Sequence, residues 1–280
     1  MTPVLSLILP ANNEASHITS CLDAVLNSFP LPNEARAEII VIPNGCNDDT
    51  AEIARSFGKR AQEKGWLLNV IELERGSKLV ALNAADQVAV GEILVYLDAD
   101  VIVSPDLLRQ TVSALSEAKP AYASGKVQLS ATKNWATRAY GRFYLQTPFM
   151  KQPAPGCGFF AMNRAGRTRW QEWPSIISDD TFARLSFSAE ERQEVDANYE
   201  WPLVDGIRNL IQVRRRQNAG VAELEAKYPK LFENDSKERF TPAAVLKAVV
   251  LHPLGTLVYG LVSLTVKLTP GSTNDWRRGR

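Results

Sequence analysis

Four short apolar runs punctuate the first part of the chain, at residues 4–9, 38–42, 67–73 and 93–97. Stretches with helical spacing of apolar side chains follow them, at 14–27, 48–64, 77–88 and 105–116. Strands this short, alternating with helices, predict an α/β fold with a mostly parallel central sheet and helices on both faces. In such a sheet, ligands bind outside the carboxyl ends of the strands. Polar clusters stand at those ends: residues 11–14 after the first run, 44–49 after the second and 98–100 after the fourth. The predicted fold gathers them on one rim, so that rim is expected to be a ligand site. Farther along, 121–129 reads as a strand and 135–149 as an amphipathic helix. A Pro/Gly-rich loop at 153–158 precedes the apolar run 159–162, and 179–185 and 203–217 have helical spacing, with a solvated connection at 186–192.

Composition narrows the function classes. With 45% hydrophobic and 22% charged residues, the chain can bury a sizeable core. A formal net charge of +1 argues against a general nucleic-acid binder, which needs a basic field to displace counterions. Cys21, Cys46 and Cys157 are isolated and without C-x-x-C spacing, which fits a reducing compartment and excludes a disulfide framework. His17 and His252 are the only histidines, so any metal must be held mainly by carboxylates, which favours Mg²⁺ or Mn²⁺. Met1-Thr2-Pro3 leads straight into the first apolar run without a charged leader, and a cytoplasmic location is expected.

The C-terminal part differs. Residues 243–268 are apolar, with Lys247, His252 and Lys267 as the potential charges and with Pro253, Gly255 and Gly260 as interruptions. The length approaches that of a membrane span, but the proline and glycines favour a re-entrant or interfacial segment. Trp276, Arg277, Arg278 and Arg280 add an aromatic ring and positive charge suited to an anionic lipid surface. The competing expectation is a helical pair packed on the sheet.

The densest chemistry is Asp98-Ala99-Asp100, directly after Ile93-Leu94-Val95-Tyr96-Leu97. Two carboxylates at i and i+2 past a buried strand can reach one rim if the backbone turns there. A divalent cation bridging two phosphates needs hard oxygen ligands and keeps several waters, so one or two carboxylates suffice. An aspartate pair at a turn or helix cap is the plainer alternative.

Around this pair the sequence resembles the family 2 glycosyltransferases of the GT-A fold. Leu5-Ser6-Leu7-Ile8-Leu9-Pro10-Ala11-Asn12-Asn13-Glu14 is similar to their opening, and Ile42-Pro43-Asn44-Gly45-Cys46-Asn47-Asp48-Asp49-Thr50 to their second-strand motif. Gly76-Ser77-Lys78 with Ala81-Leu82-Asn83 resembles their next element, and Asp98-Ala99-Asp100 stands at their D-x-D. The resemblance covers about residues 1–220 and carries four motifs in order. It implies a glycosyltransferase domain at 1–220, with a nucleotide-binding half at 1–104 and an acceptor-side half at 105–220, followed by a C-terminal apolar helical segment at 221–280. Pro10, Ala11 and Glu14 would line the nucleoside pocket, with Glu14 near the ribose or base. Asn44 stands where the family usually has an aspartate that accepts from the base, which leaves the base open. Asp48 is expected to cap the following helix. Lys78 and Asn83 would lie beside the nucleotide, Asp98 near the ribose and metal, and Asp100 as the direct metal ligand.

The second half implies the acceptor side. Ser178-Asp179-Asp180 resembles the family's acidic pair, which makes Asp180 the candidate base and Asp179 a neighbour whose charge would raise its pKa. Two aspartates opening a helix would also simply stabilise its N-terminus. Gln212-Val213-Arg214-Arg215-Arg216-Gln217 resembles the family's Q-x-x-R-W segment with Arg216 in place of the tryptophan, and Arg215 and Arg216 would neutralise a leaving diphosphate. Gly156-Cys157-Gly158 resembles the acceptor loop. The implied reaction is inverting transfer from a nucleotide-sugar, UDP by default, to a lipid-linked or polysaccharide glycan at the inner face of the cell membrane, with Mn²⁺ or Mg²⁺. A dehydrogenase or P-loop enzyme would need a glycine motif after the first strand, which is absent, as is the Gly-rich loop of a sugar nucleotidyltransferase. A non-catalytic scaffold of a polysaccharide assembly is the other alternative.

Overall fold

The computed structural model describes residues 4–235 and 240–269. The elements run β1 (Leu5–Ala11), α1 (Ile18–Leu26), β2 (Ala37–Pro43), α2 (Thr50–Ser56), α3 (Gly58–Glu63), β3 (Leu67–Val70), α4 (Lys78–Val88) and β4 (Ile93–Leu97). They continue with β5 (Ile102–Val103), α5 (Leu107–Ala114), β6 (Tyr122–Leu129), α6 (Trp135–Tyr144), α7 (Pro148–Lys151), β7 (Phe159–Asn163) and α8 (Arg164–Arg167). The last are α9 (Asp179–Leu185), β8 (Arg192–Trp201), α10 (Ile207–Lys227), α11 (Pro242–Leu251) and α12 (Pro253–Leu268).

One eight-stranded sheet has the order β3-β2-β1-β4-β7-β6-β8-β5. Its first four strands are parallel, as the buried apolar runs of β1, β2 and β4 predict, while β3 forms the half-exposed edge. The other half is mixed: β7 runs against β4 and β6, β8 runs along β6, and β5 runs against β8. Both faces are covered. Leu7, Leu9, Ile39 and Val95 pack with α1 and α5 on one side, while Ile8, Ile40, Leu94 and Tyr96 pack with α4 and α9 on the other.

Three expectations change. The 48–64 helix is broken into α2 and α3 at Phe57–Gly58. The 135–149 helix ends at Tyr144, and Pro148, at the first position of α7, starts a new turn, where its missing N–H costs nothing. α10 runs on to Lys227, so the boundary expected at 220/221 falls inside a continuous helix.

The apolar C-terminal stretch forms α11 and α12, bent by 119° at the His252–Pro253 break. α12 packs on α6 and α10, and α11 on α12: Val258 and Val262 join Tyr140, Tyr144 and Leu210 in a third core cluster beside Trp201 at the end of β8. Among the described residues no single helix is long and apolar enough to cross a membrane. The outer face of α12 is bare, with Leu257 68% and Leu268 70% exposed. The expected basic residues at 276–280 lie outside the described residues.

Candidate functional site

The parallel strands β1, β2 and β4 end on the same rim, and β7, running the other way, begins there. Asn44 N–H donates to the Ala11 carbonyl at 2.8 Å, and Asp98 N–H to the Gly158 carbonyl at 2.8 Å. Side chains then stitch the loops. Asn12 Nδ2 donates to the carbonyls of Asn44 and Gly45, and Glu14 N–H donates to Thr50 Oγ1 at 2.8 Å. Asp48 Oδ1 accepts from Thr50 N–H at 3.1 Å, at the start of α2. Gly45 is required here: its φ is +59°, and an added Cβ would lie 2.5 Å from the Gly76 nitrogen.

Asn44 ties the rim together as well as bordering it. Both Nδ2 protons are used, on Ala11 O at 2.9 Å and Ile42 O at 3.1 Å, and Oδ1 accepts from Ser77 N–H at 3.0 Å. The amide borders the cleft with both protons used on the loops, which leaves the second lone pair of Oδ1 to meet a ligand.

Ser77 caps α4, and this places Lys78 at the mouth of the cleft. Lys78 Nζ lies 2.9 Å from Asp98 Oδ1 and 2.9 Å from Asp179 Oδ2, so one ammonium ties the end of β4 to the start of α9. Burial works against that charge, but the Asp179 and Asp98 carboxylates outweigh it and hold the Lys78 pKa above the ordinary lysine range. Beside it, burial first and the negative Asp179 second push Asp180 above the usual carboxylate range, while Lys78 and the Thr181 N–H, 2.6 Å from Asp180 Oδ1, pull the other way. Burial, with Asp180 next, also raises the Cys157 thiol, which keeps it protonated and unsuited as a nucleophile.

Two adjoining cavities open on this cluster. The smaller, about 260 Å³, is lined by Pro10, Asn12, Glu14, Asn44 and Asp98–Asp100, with Arg214 and Arg216 across from them. The larger, about 840 Å³, is lined by Cys157 and Asp179–Thr181 at one part and by Tyr144, Phe149, Phe240 and Tyr259 elsewhere. Lys78, Asp98, Trp201, Arg214 and Arg216 border both. Gly158 lines a narrow recess shared with Lys78, Asp98 and Asp180. Among the described residues no group of three or more His, Cys, Asp or Glu side chains is placed to hold a metal. The carboxylates that border the smaller cavity are Glu14, Asp98 and Asp100, hard oxygen donors too few for an all-protein metal site but of the kind a cation completing its shell with phosphate oxygens and water would take.

Four expected residues are placed elsewhere. Ala11 is 1% exposed and contributes its carbonyl to the loop stitching. Asn83 pairs both amide atoms with the Trp173 backbone, at 2.7 and 3.3 Å, and so braces α4 against the segment before α9. Arg215 donates to Thr269 Oγ1, on the far side of α10. Gly156, at φ +78°, abuts the Tyr122 hydroxyl and borders none of the three cavities. The arginine that the sequence reading passed over is Arg214, whose Nη2 donates to Tyr259 Oη at 3.2 Å. Helical phase was the available signal: Arg214 shares a face with Leu210, one turn earlier, whereas Arg215 is rotated by about 100°.

The chain is similar to known glycosyltransferases. Glycosyltransferase AglE of Haloferax volcanii is 33% identical over 129 residues, 46% of this chain and 40% of that protein. Glucosyl-3-phosphoglycerate synthase of Mycobacterium tuberculosis is 33% identical over 98 residues, 35% of this chain and 29% of that protein. The chain thus spans less than half the length of these relatives. Among solved structures, mannosyltransferase PcManGT from Pyrobaculum calidifontis, in complex with GDP-Man and Mn²⁺, superposes with a TM-score of 0.61 at 19% identity, over 97% of this chain and 77% of that one. TarS 1–349 of S. aureus in complex with UDP-GlcNAc gives 0.53 at 16% identity, over 94% and 81%. These likenesses establish the fold. The sequence model described as glycosyl transferase family 2 matches residues 6–191, most of the chain, from within β1 to beyond the end of α9, and the protein belongs to that family.

Proposed function

We propose that the protein transfers a sugar from a nucleoside diphosphate donor to an acceptor hydroxyl, with inversion at the anomeric carbon. The observation that carries this reading is the Lys78 ammonium, 2.9 Å from carboxylates of both Asp98 and Asp179. It joins the phosphate-side carboxylates to the acidic start of α9 at a single point. The smaller cavity holds the donor, with Pro10 and Glu14 against the nucleoside and Asp98 and Asp100 toward the diphosphate. Asp98 and Asp100 would hold Mn²⁺ or Mg²⁺, which when bound supplies positive charge to the departing diphosphate. UDP is the default nucleotide, and the structural neighbours in complex with GDP-Man and UDP-GlcNAc span that choice.

The chain's own groups supply the rest. Asp180 takes the proton of the acceptor hydroxyl as its oxygen bonds to the anomeric carbon, and the bond from that carbon to the β-phosphate oxygen breaks. The electron pair leaves with the nucleoside diphosphate, beside Arg214 and Arg216. The Asp179 carboxylate helps keep Asp180 basic by raising its pKa, and Lys78, paired with Asp179, limits that rise.

The acceptor in this reading is a lipid-linked glycan, and the protein sits at the cytoplasmic face of a membrane. Bare leucines on α12, Lys247 and Lys267, and the lack of any acidic residue from 240 to 269 support that placement. A labelled-sugar transfer assay with NMR of the product's anomeric configuration tests the chemistry. Wild-type turnover in both Asp100→Ala and Asp180→Asn would remove the site assignment. A scaffold would show no Mn²⁺-dependent UDP or GDP binding in calorimetry.

A further inference from the structure

We infer that Arg184 is a positioning residue: from the last turn of α9 it holds the loop 152–158 in a backbone conformation that the loop's own sequence disfavours. The effect on turnover rests on the sugar-transfer reading; the holding of the loop does not. Arg184 stands four residues after Asp180, so both lie on one side of α9. Its side chain is 3% exposed. Nη1 donates to Gln152 Oε1 at 2.9 Å, Nη2 donates to Asp235 Oδ1 at 3.2 Å, and the guanidinium lies 5.5 Å from the Phe149 ring centroid. One planar fork thus fastens the helix that carries Asp180 to the residue opening the loop and to the chain beyond α10. The buried Nε–H finds no acceptor among the described residues, so these two bonds alone orient the group.

The loop requires such a clamp. Three of its residues have left-handed φ: Ala154 at +52°, Gly156 at +78° and Gly158 at +70°. Glycine adopts these values freely, but Ala154 carries a Cβ and precedes Pro155, whose ring pushes its neighbour toward extended backbone. A residue in that conformation persists only where its surroundings over-determine it. Here Ala154 N–H donates to Glu194 Oε2 at 3.4 Å, the Tyr122 hydroxyl backs Gly156, and Arg184 fixes the entry at Gln152. The other end of the loop is part of the site. Cys157 lines the larger cavity, and Gly158 shares the narrow recess with Lys78, Asp98 and Asp180. A loop released at Gln152 moves the wall beside Asp180, whereas Asp98 keeps its place at the end of β4 and on Lys78.

The cysteines report this directly. Cys157 belongs to the loop and is buried, while Cys21, fully buried in the core under α1, exchanges with solvent only when the whole domain opens. With N-ethylmaleimide and mass spectrometry on the full chain, Arg184→Gln and Gln152→Ala are each expected to label Cys157 about ten-fold faster than wild type, with Cys21 unchanged. Adding Ala154→Gly to Arg184→Gln removes the Cβ that disfavours the turn and should slow that labelling about three-fold. In the labelled-sugar transfer assay, Arg184→Gln should lower kcat by about ten-fold or more, with the KM for UDP-GlcNAc or GDP-mannose within about two-fold of wild type. Labelling that rises at both cysteines together, or at neither, overturns the inference, as does an unchanged kcat. A wild type that binds neither UDP nor GDP in Mn²⁺ would overturn the transfer reading instead, and the two cysteines would still decide the loop.

Discussion

At the scale of single residues the site is an arrangement of charge around Asp180. Burial and Asp179 raise its pKa, while Lys78 restrains the rise. A base must be ionised to accept a proton, so kcat is expected to fall on the acid side at a pH above the ordinary aspartate value of about 3.9. Asp180→Asn should cost on the order of 10²–10⁴-fold in kcat, read with saturating donor. The same shift has a stability consequence. A carboxyl whose folded pKa is raised favours the folded state least when ionised: stability is lost as pH rises from the unfolded value through the folded one. Asp180→Asn should therefore melt higher than wild type at neutral pH and equal to it near pH 3, as differential scanning calorimetry can check. Lys78→Met removes the restraining ammonium, so the acid limb of its pH–kcat profile should move to higher pH. An unmoved limb would mean that Lys78 does not act on Asp180.

The elements explain which parts of this arrangement the sequence could announce. β1, β2 and β4 are buried on both faces, so they read as continuous apolar runs, and their polar ends read as a rim. β8 was missed because its outward positions, Gln193, Glu194 and Asp196, are exposed and only Val195, Ala197 and Tyr199 alternate inward. The bracing roles of Asn44 and Asn83 were hidden because their partners are backbone atoms of loops remote in sequence, at Ala11, Ser77 and Trp173. The arginines of α10 have remote partners too, Arg214 on Tyr259 and Arg215 on Thr269, more than forty residues away. The packing of α12 makes its own prediction. An added Cβ on Gly255 would lie 2.6 Å from the Ala139 carbonyl oxygen of α6, a backbone atom with little room to move. Gly255→Val should cost about 1–3 kcal/mol in urea unfolding. It should also impair acceptor use more than donor binding, because Tyr259 moves with the helix while Asp98 and Asp100 do not.

The whole molecule carries two kinds of surface. Over the inner strands of the sheet, apolar residues are covered; on the C-terminal corner many are not. Leu254, Leu257, Leu261, Leu264 and Leu268 recur at three- and four-residue intervals along α12, all at least 49% exposed, while Val258 and Val262 on the opposite side are buried against α6 and α10. A helix with one face in a protein core and the other dressed in leucine is suited to lie along a lipid surface, with Lys247 and Lys267 drawn to anionic headgroups. Each leucine buried in lipid contributes roughly 1.5–3 kcal/mol. Replacing both Leu257 and Leu261 with glutamate should therefore reduce partitioning onto anionic vesicles by at least ten-fold, measured by cosedimentation. Since both side chains face solvent, the double variant should keep its melting temperature and its Mn²⁺-dependent nucleotide binding, which separates a lost docking surface from a damaged fold. Added salt should weaken the wild-type interaction only in part, because the apolar contribution is not screened. Undiminished sedimentation of the double variant would leave these leucines without a lipid partner, and the acceptor would then have to reach Asp180 from solution.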